Sequence, residues 1–84
     1  MRIYMQTPPG IDGQPRFYHL FLQEDLINGW TLVKESGRQG GSGRVTKKHY
    51  DDHDTALAAL ITARDAQLKR GYHVVFIKGE QAPA

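Results

Sequence analysis

The sequence predicts an α+β domain, an antiparallel β-sheet of four to five strands with one α-helix packed against it. Three observations carry this. β-like runs recur between turn signals from Arg2 to Tyr50, a single helical stripe follows them, and 84 residues suffice for one domain only. That domain spans 1–84, with a core over roughly 2–77 and a tail at 78–84 expected to be disordered.

Each element has its own signal. Arg2 to Thr7 alternates, with Ile3 and Met5 on one side and Tyr4 and Gln6 on the other, as a strand does. Pro8-Pro9-Gly10 and Asp12-Gly13 then punctuate a turn. Phe17 to Leu22 is apolar on both faces, as expected of a central strand covered on both sides. Asn28-Gly29, two residues that tolerate positive φ, marks the next turn, within a loop that starts at Glu24. Trp30 to Glu35 reads as a third strand, with Trp30 and Leu32 sharing a core face. Gly37 to Gly43 reads as a glycine loop, and Arg44 to Tyr50 resumes β character, so the pair of strands forms a hairpin.

Asp51-Asp52-His53-Asp54 signals a helix start, with Asp52 placed to cap the first turn. Leu57, Leu60, Ile61 and Leu68 form the expected buried stripe, extended by the Arg64 stem. Lys69 and Arg70 suit the last turn and Gly71 its termination. Tyr72 to Ile77 then offers a closing strand.

Composition narrows the function classes. A chain this small buries only about 60% of its unfolded surface, which leaves little room for a deep catalytic pocket. It has no cysteine, so neither disulfides nor a thiolate zinc site can add stability, and a reducing cytoplasmic setting is expected. The N-terminus shows neither a signal peptide nor a membrane span. The net charge is a modest +2, but it is unevenly spread. Between Lys34 and Lys48, five cations (Lys34, Arg38, Arg44, Lys47 and Lys48) face one acid, Glu35, which leaves −2 for the remainder. Such a concentration attracts phosphate even on a nearly neutral protein.

Arg38 is the leading candidate. Its guanidinium fork suits bidentate phosphate contact, and Gly37 with its neighbouring glycines lets a phosphate approach the backbone. An internal pairing of Arg38, with Glu35 or a carbonyl, is the plain alternative. Gly40-Gly41-Ser42-Gly43 lacks the Gly-Lys-Ser/Thr ending of a P-loop and no helix follows it, so it reads as a hairpin connection. Strand alternation puts Arg44 and Lys48 on one face and Lys47 on the other, which ranks the first two as partners of Arg38 above the third. His49, Asp51, Asp52, His53 and Asp54 could suggest a metal, but a capping segment explains them more simply. No metal or cofactor is expected. No serine–histidine–acid set or carboxylate pair stands out, and the chain is not expected to be an enzyme.

Taken together, several segments resemble one family. These are Phe17-Tyr18-x-Leu20-x-Leu22, Asp25-Leu26-x-x-Gly29-Trp30-x-Leu32, Glu35-Ser36-Gly37-Arg38-x-Gly40, then Ala56 and Leu60, and Lys69-Arg70-Gly71-Tyr72. In order and spacing they are similar to the WGR domain, particularly to its small stand-alone bacterial members, over about Phe17 to Tyr72. The resemblance implies an antiparallel sheet with one helix and an association with nucleic acid. In poly(ADP-ribose) polymerases the domain lies beside a DNA strand end, where the motif's tryptophan and arginine contact DNA and neighbouring domains. By position, Arg38 matches that arginine and Gly37 the glycine, while Ser36 stands where the family has tryptophan. A serine cannot stack on a base or sugar.

The function this predicts is a non-enzymatic module. It binds nucleic acid, DNA foremost, with low sequence specificity, through Arg38, Gly37, Arg44, Lys48, Lys47 and Lys34. The alternative is a protein-interaction module whose hairpin docks on an acidic partner without touching nucleic acid; Ser36 favours it.

Overall fold

In the computed structural model, which describes residues 1–8 and 13–79, five strands and one helix follow in the order β-β-β-β-α-β. They are β1 Arg2–Gln6, β2 Arg16–Glu24, β3 Trp30–Arg38, β4 Arg44–Tyr50, α1 His53–Lys69 and β5 His73–Lys78. The sheet order is β4-β3-β2-β1-β5 and all four pairings are antiparallel. The chain therefore climbs through a meander, crosses back along α1, and adds its last strand beside its first. Most of the turn at residues 8–13 and the tail beyond Gly79 lie outside the described residues.

One sheet face carries the core. Ile3, Met5, Leu20, Leu22 and Leu32 point toward α1 and are buried with Ala56 and Leu60. Burying each large side chain contributes about 1.5–3 kcal/mol. The helix rests on β2, β3 and β4. Its buried face differs from the expected stripe: Ala56, Leu60 and Gln67 lie underneath, Leu57 and Ile61 are half-buried, and Leu68 is 44% exposed. Ala56 and Leu60 face the sheet, while Leu57 and Leu68 fall on the flanks of the helix.

The helix ends follow the local chemistry. Asp52 is the N-cap, its side chain accepting from the Thr55 N–H at 2.7 Å. At the other end the Tyr72 N–H donates to the Gln67 carbonyl and the Gly71 N–H to that of Leu68. With Gly71 at φ 98° this is a Schellman termination, and glycine is the residue that adopts it without a Cβ penalty.

Two sequence expectations change here. Strand β2 is indeed third of five, yet only one of its faces is covered, and no described element packs over Phe17, His19 and Phe21. The glycine loop is also shorter than expected. Strand β3 continues through Ser36, Gly37 and Arg38, and only residues 39–43 connect it to β4. That connection turns at Arg38–Gly41, where the Gly41 N–H donates to the Arg38 carbonyl at 3.0 Å and Gly40 has φ 80°.

Candidate nucleic-acid interface

Strand pairing fixes which of the basic residues can act together. In β2 and β3, Arg16 stands directly opposite Arg38 and Tyr18 opposite Ser36. In β4, Arg44 stands opposite Ser36. All these positions project on the helix side of the sheet, at the end that α1 leaves open. Three arginines, Arg16, Arg38 and Arg44, thus gather there, and all three are exposed. Among the described residues neither Arg16 nor Arg38 has a hydrogen-bonded or ionic side-chain partner. Glu35, the internal partner considered for Arg38, points to the other face, 3.9 Å from His19 Nδ1.

Arg16, Ser36, Gly37, Arg38, Ser42 and Tyr72 line a depression of about 290 Å³. Two arginines and three hydroxyl-bearing residues, Ser36, Ser42 and Tyr72, therefore border one concavity. Tyr72 stands edge-on to Tyr18, with ring centroids 5.8 Å apart. Burial, and then proximity to Tyr72, pushes the Tyr18 phenol up. Sequence reasoning missed Arg16 and Tyr72. The resemblance reached Tyr72 without giving it a role, and Arg16 acquires one only through the register that faces it to Arg38.

Gly37 has a different reason from the one expected. A Cβ there would lie 3.0 Å from the Gly43 Cα and the Ser42 carbonyl oxygen, and 3.3 Å from the Phe17 ring. The glycine lets the returning hairpin and an aromatic ring close over the strand. Its backbone is packed on that side, not held open for a phosphate. Gln39, the next residue after Arg38, donates its backbone N–H to Pro15 and its side-chain amide to Tyr4 Oη at 3.1 Å. The arginine is thereby flanked by anchored neighbours.

The remaining candidates are dispersed. Lys48 shares the helix-side face but lies farther along β4, with its ammonium 5.5 Å from the Tyr50 ring. Lys47 projects from the opposite face. Lys34 borders a separate recess beside the helix with Tyr18, Tyr50, Ala59 and Ala63. Arg44 and Lys48 thus lie on the same sheet face as Arg38, and Lys47 on the other. Lys34 does not join the arginine group.

The histidine–aspartate segment is structural. His49 Nδ1 lies 2.6 Å from Asp25 Oδ2, and Nε2 lies 3.2 Å from Asp51 Oδ1. Asp25 also accepts from the N–H groups of Ile27 and Gly29 and from Thr31 Oγ1. The hydrogen bond to Asp25 raises the His49 imidazole above its ordinary value, against partial burial. Partial burial alone would raise the Asp25 carboxyl; its bonds to His49, Thr31 and Ile27 outweigh this and hold it low. Only Asn28 takes positive φ in this turn, at 65°. Gly29 is needed for space, because a Cβ would fall 2.3 Å from His49 Cε1 and 2.6 Å from the Tyr50 carbonyl oxygen. His53 packs edge-on against Trp30, with centroids 4.6 Å apart. Among the described residues no group of three or more His, Asp or Glu side chains could hold a metal ion, and no helix is long and apolar enough to cross a membrane.

No curated protein matches this sequence. The family comparison is positive: the WGR domain model matches residues 1–76, taking in β1 to β4, the helix, the Ser36-Gly37-Arg38 segment and the first part of β5. With that match over most of its length and a five-stranded antiparallel sheet carrying one helix, the chain belongs to the WGR domain family.

Proposed function

We propose that this chain is a non-enzymatic nucleic-acid binding module that holds backbone phosphate at the end of the β2–β3 pair, with Arg38 and Arg16 as its principal contacts. One observation carries the reading. Two arginines face each other in register without an acidic partner among the described residues. Like charges directly opposite on a sheet are unfavourable. An anion between them converts that repulsion into charge-assisted hydrogen bonding, and guanidinium forks match phosphate geometry. Ser36 and Ser42 supply hydroxyl donors in the same depression, and Arg44 adds charge at its rim. The contacts are to phosphate, not base edges, so they position a nucleic acid without reading its sequence.

The test is anisotropy of a labelled DNA duplex with the full chain at several salt concentrations. Each of Arg38→Ala and Arg16→Gln is expected to weaken binding about 10- to 150-fold, since a hydrogen bond to a charged group contributes about 1.5–3 kcal/mol. Each is also expected to lower the log–log salt slope by nearly one. Unchanged affinity and slope in both variants would overturn the reading. A second reading, an acidic protein partner at the same arginines, is favoured by Ser36, which offers no ring for a strand end. A partner retained on the immobilised chain after nuclease treatment, and lost with Arg38→Ala, decides for it.

A further inference from the structure

Strand β2 is apolar on both faces but covered on one. On its uncovered side, residues from all five strands fall into cross-strand rows. One row runs Lys47, Val33, Phe21, Arg2, Lys78, and the next runs Val45, Glu35, His19, Tyr4, Phe76. Same-face rows on a sheet lie about 6.5–7 Å apart. A row with three cations, separated by the buried Val33 and the half-buried Phe21, therefore borders a row of rings.

The rings form a continuous group. Tyr4 lies between Phe17 and Phe76, with centroids 6.2 and 5.8 Å away and planes within 13° and 17° of parallel. His19 meets Tyr4 edge-on at 5.6 Å, and Phe21 adjoins His19 at 5.0 Å. The Arg2 guanidinium lies over Phe21, 5.1 Å from its centroid, so the face of that ring already receives one flat partner. Arg2, Phe21, Gln23 and Lys78 border a shallow depression of about 380 Å³. Phe76, at the outer end, is 46% exposed. Glu35 is the one acid in these two rows, and it leans toward His19.

The partner must satisfy rings and cations together. A purely apolar surface would leave Arg2, Lys47 and Lys78 without counter-charge, and a duplex keeps its bases stacked inside. Unpaired nucleotides present flat bases and phosphates at once. We propose that the uncovered sheet face binds single-stranded nucleic acid, with bases stacked on the exposed Phe76 and on Phe21 once Arg2 turns from that ring to a phosphate, and with phosphates on Arg2, Lys47 and Lys78. Every base has a π face, so this surface tolerates sequence. It is separate from the arginine group at Arg16 and Arg38 and requires nothing of it.

The experiment is anisotropy of labelled oligo(dT) and oligo(U) of equal length, with a blunt duplex as comparison, using the full chain at low salt. Phe21→Ala and Phe76→Ala are each expected to weaken oligomer binding about 5- to 150-fold and leave the duplex within about twofold. Arg2→Gln, which leaves every ring in place, is expected to lower the salt slope for the oligomer by about 0.7. Thermal melts of each variant establish that it folds; should Phe21→Ala not fold, Phe76→Ala and Arg2→Gln carry the test. The proposal is overturned if the unaltered chain binds neither oligomer, or if the folded ring variants bind both as tightly as it does. It is equally overturned if sedimentation finds a dimer of this chain that Phe76→Ala dissociates, which would assign the face to a second copy. Arg38→Ala separates the two readings: loss of duplex binding with oligomer binding intact upholds both, and unchanged duplex binding removes only the reading based on Arg38.

Discussion

The two ends of the β2–β3 pair treat charge in opposite ways. At the Asp25–Gly29 end the central charges are paired: Asp25 accepts four hydrogen bonds and His49 sits between two carboxylates. At the Arg16–Arg38 end the cations face one another with no acid among the described residues between them. The first arrangement stabilises a turn. The second is tolerated by the fold and is the arrangement that the proposed phosphate contact would relieve. Partnered charge indicates structure, and register-matched like charge without a partner indicates where a ligand adds something the chain lacks.

Substitutions at the two ends should separate accordingly. The largest effect belongs to Gly29→Ala, whose Cβ collides with His49 and with the fixed Tyr50 carbonyl. An overpacked site of this kind costs about 1–3 kcal/mol, measurable by urea denaturation. A loss well below 1 kcal/mol would mean the His49 ring swings away freely and the Asp25 pairing is not a rigid pin.

A smaller effect is the pH dependence of the same end. The His49 pKa is raised, so its contribution is fully present below the ordinary 6.5 and is lost as pH rises through the elevated folded value. The Asp25 pKa is lowered, so its contribution is present above 3.8 and is lost as pH falls through the folded value. Together they favour the window between 3.8 and 6.5. His19 opposes this in the same range. Its burial, then Arg2, holds its pKa down, so protonation below 6.5 disfavours folding. The clean readout is thus the difference between the unaltered chain and His49→Gln across pH. That difference should shrink as pH rises above 6.5, and a flat difference would show that the pairing is electrostatically idle.

The smallest effect has the opposite sign. Arg16→Gln should raise stability by about 0.2–1 kcal/mol, by relieving the like pair, even as it weakens phosphate binding. A destabilised Arg16→Gln protein would show instead that the guanidinium packs or pairs within the fold.

Legibility from sequence followed the range of each interaction. The Asp52 cap, the Gly71 termination and the Arg44–Tyr50 strand are local, and the chain declares them within a few residues. The α+β class followed from the same local signals. What depends on register was hidden. Arg16 gains meaning only opposite Arg38, and Gly29 only beneath His49, twenty positions on. Gly37 read as an opening for phosphate because glycine's freedom is a local property, whereas its use here is the approach of Phe17 and Gly43. The apolar β2 run read as doubly covered because aromatic density is the same whether a helix or nothing lies above it. Leu68 was assigned to the core by spacing alone, though Ala56, Leu60 and Gln67 are the residues that the helix buries.

The placement of β5 beside β1 has a consequence for the order of folding. Arg2 pairs with Lys78, so the first strand is completed by a segment from near the far end of the described chain. The β2–β3–β4 meander joins near neighbours in sequence and the helix reaches back to β2, whereas the β1–β5 pairing closes nearly the whole chain into one loop. The entropy of closing such a loop grows only slowly with its length, so equilibrium stability suffers little. Contacts between distant segments nevertheless slow folding. By this topology the meander and helix can assemble while β1 still has a bare edge, and the arrival of β5 is the step that seals the sheet.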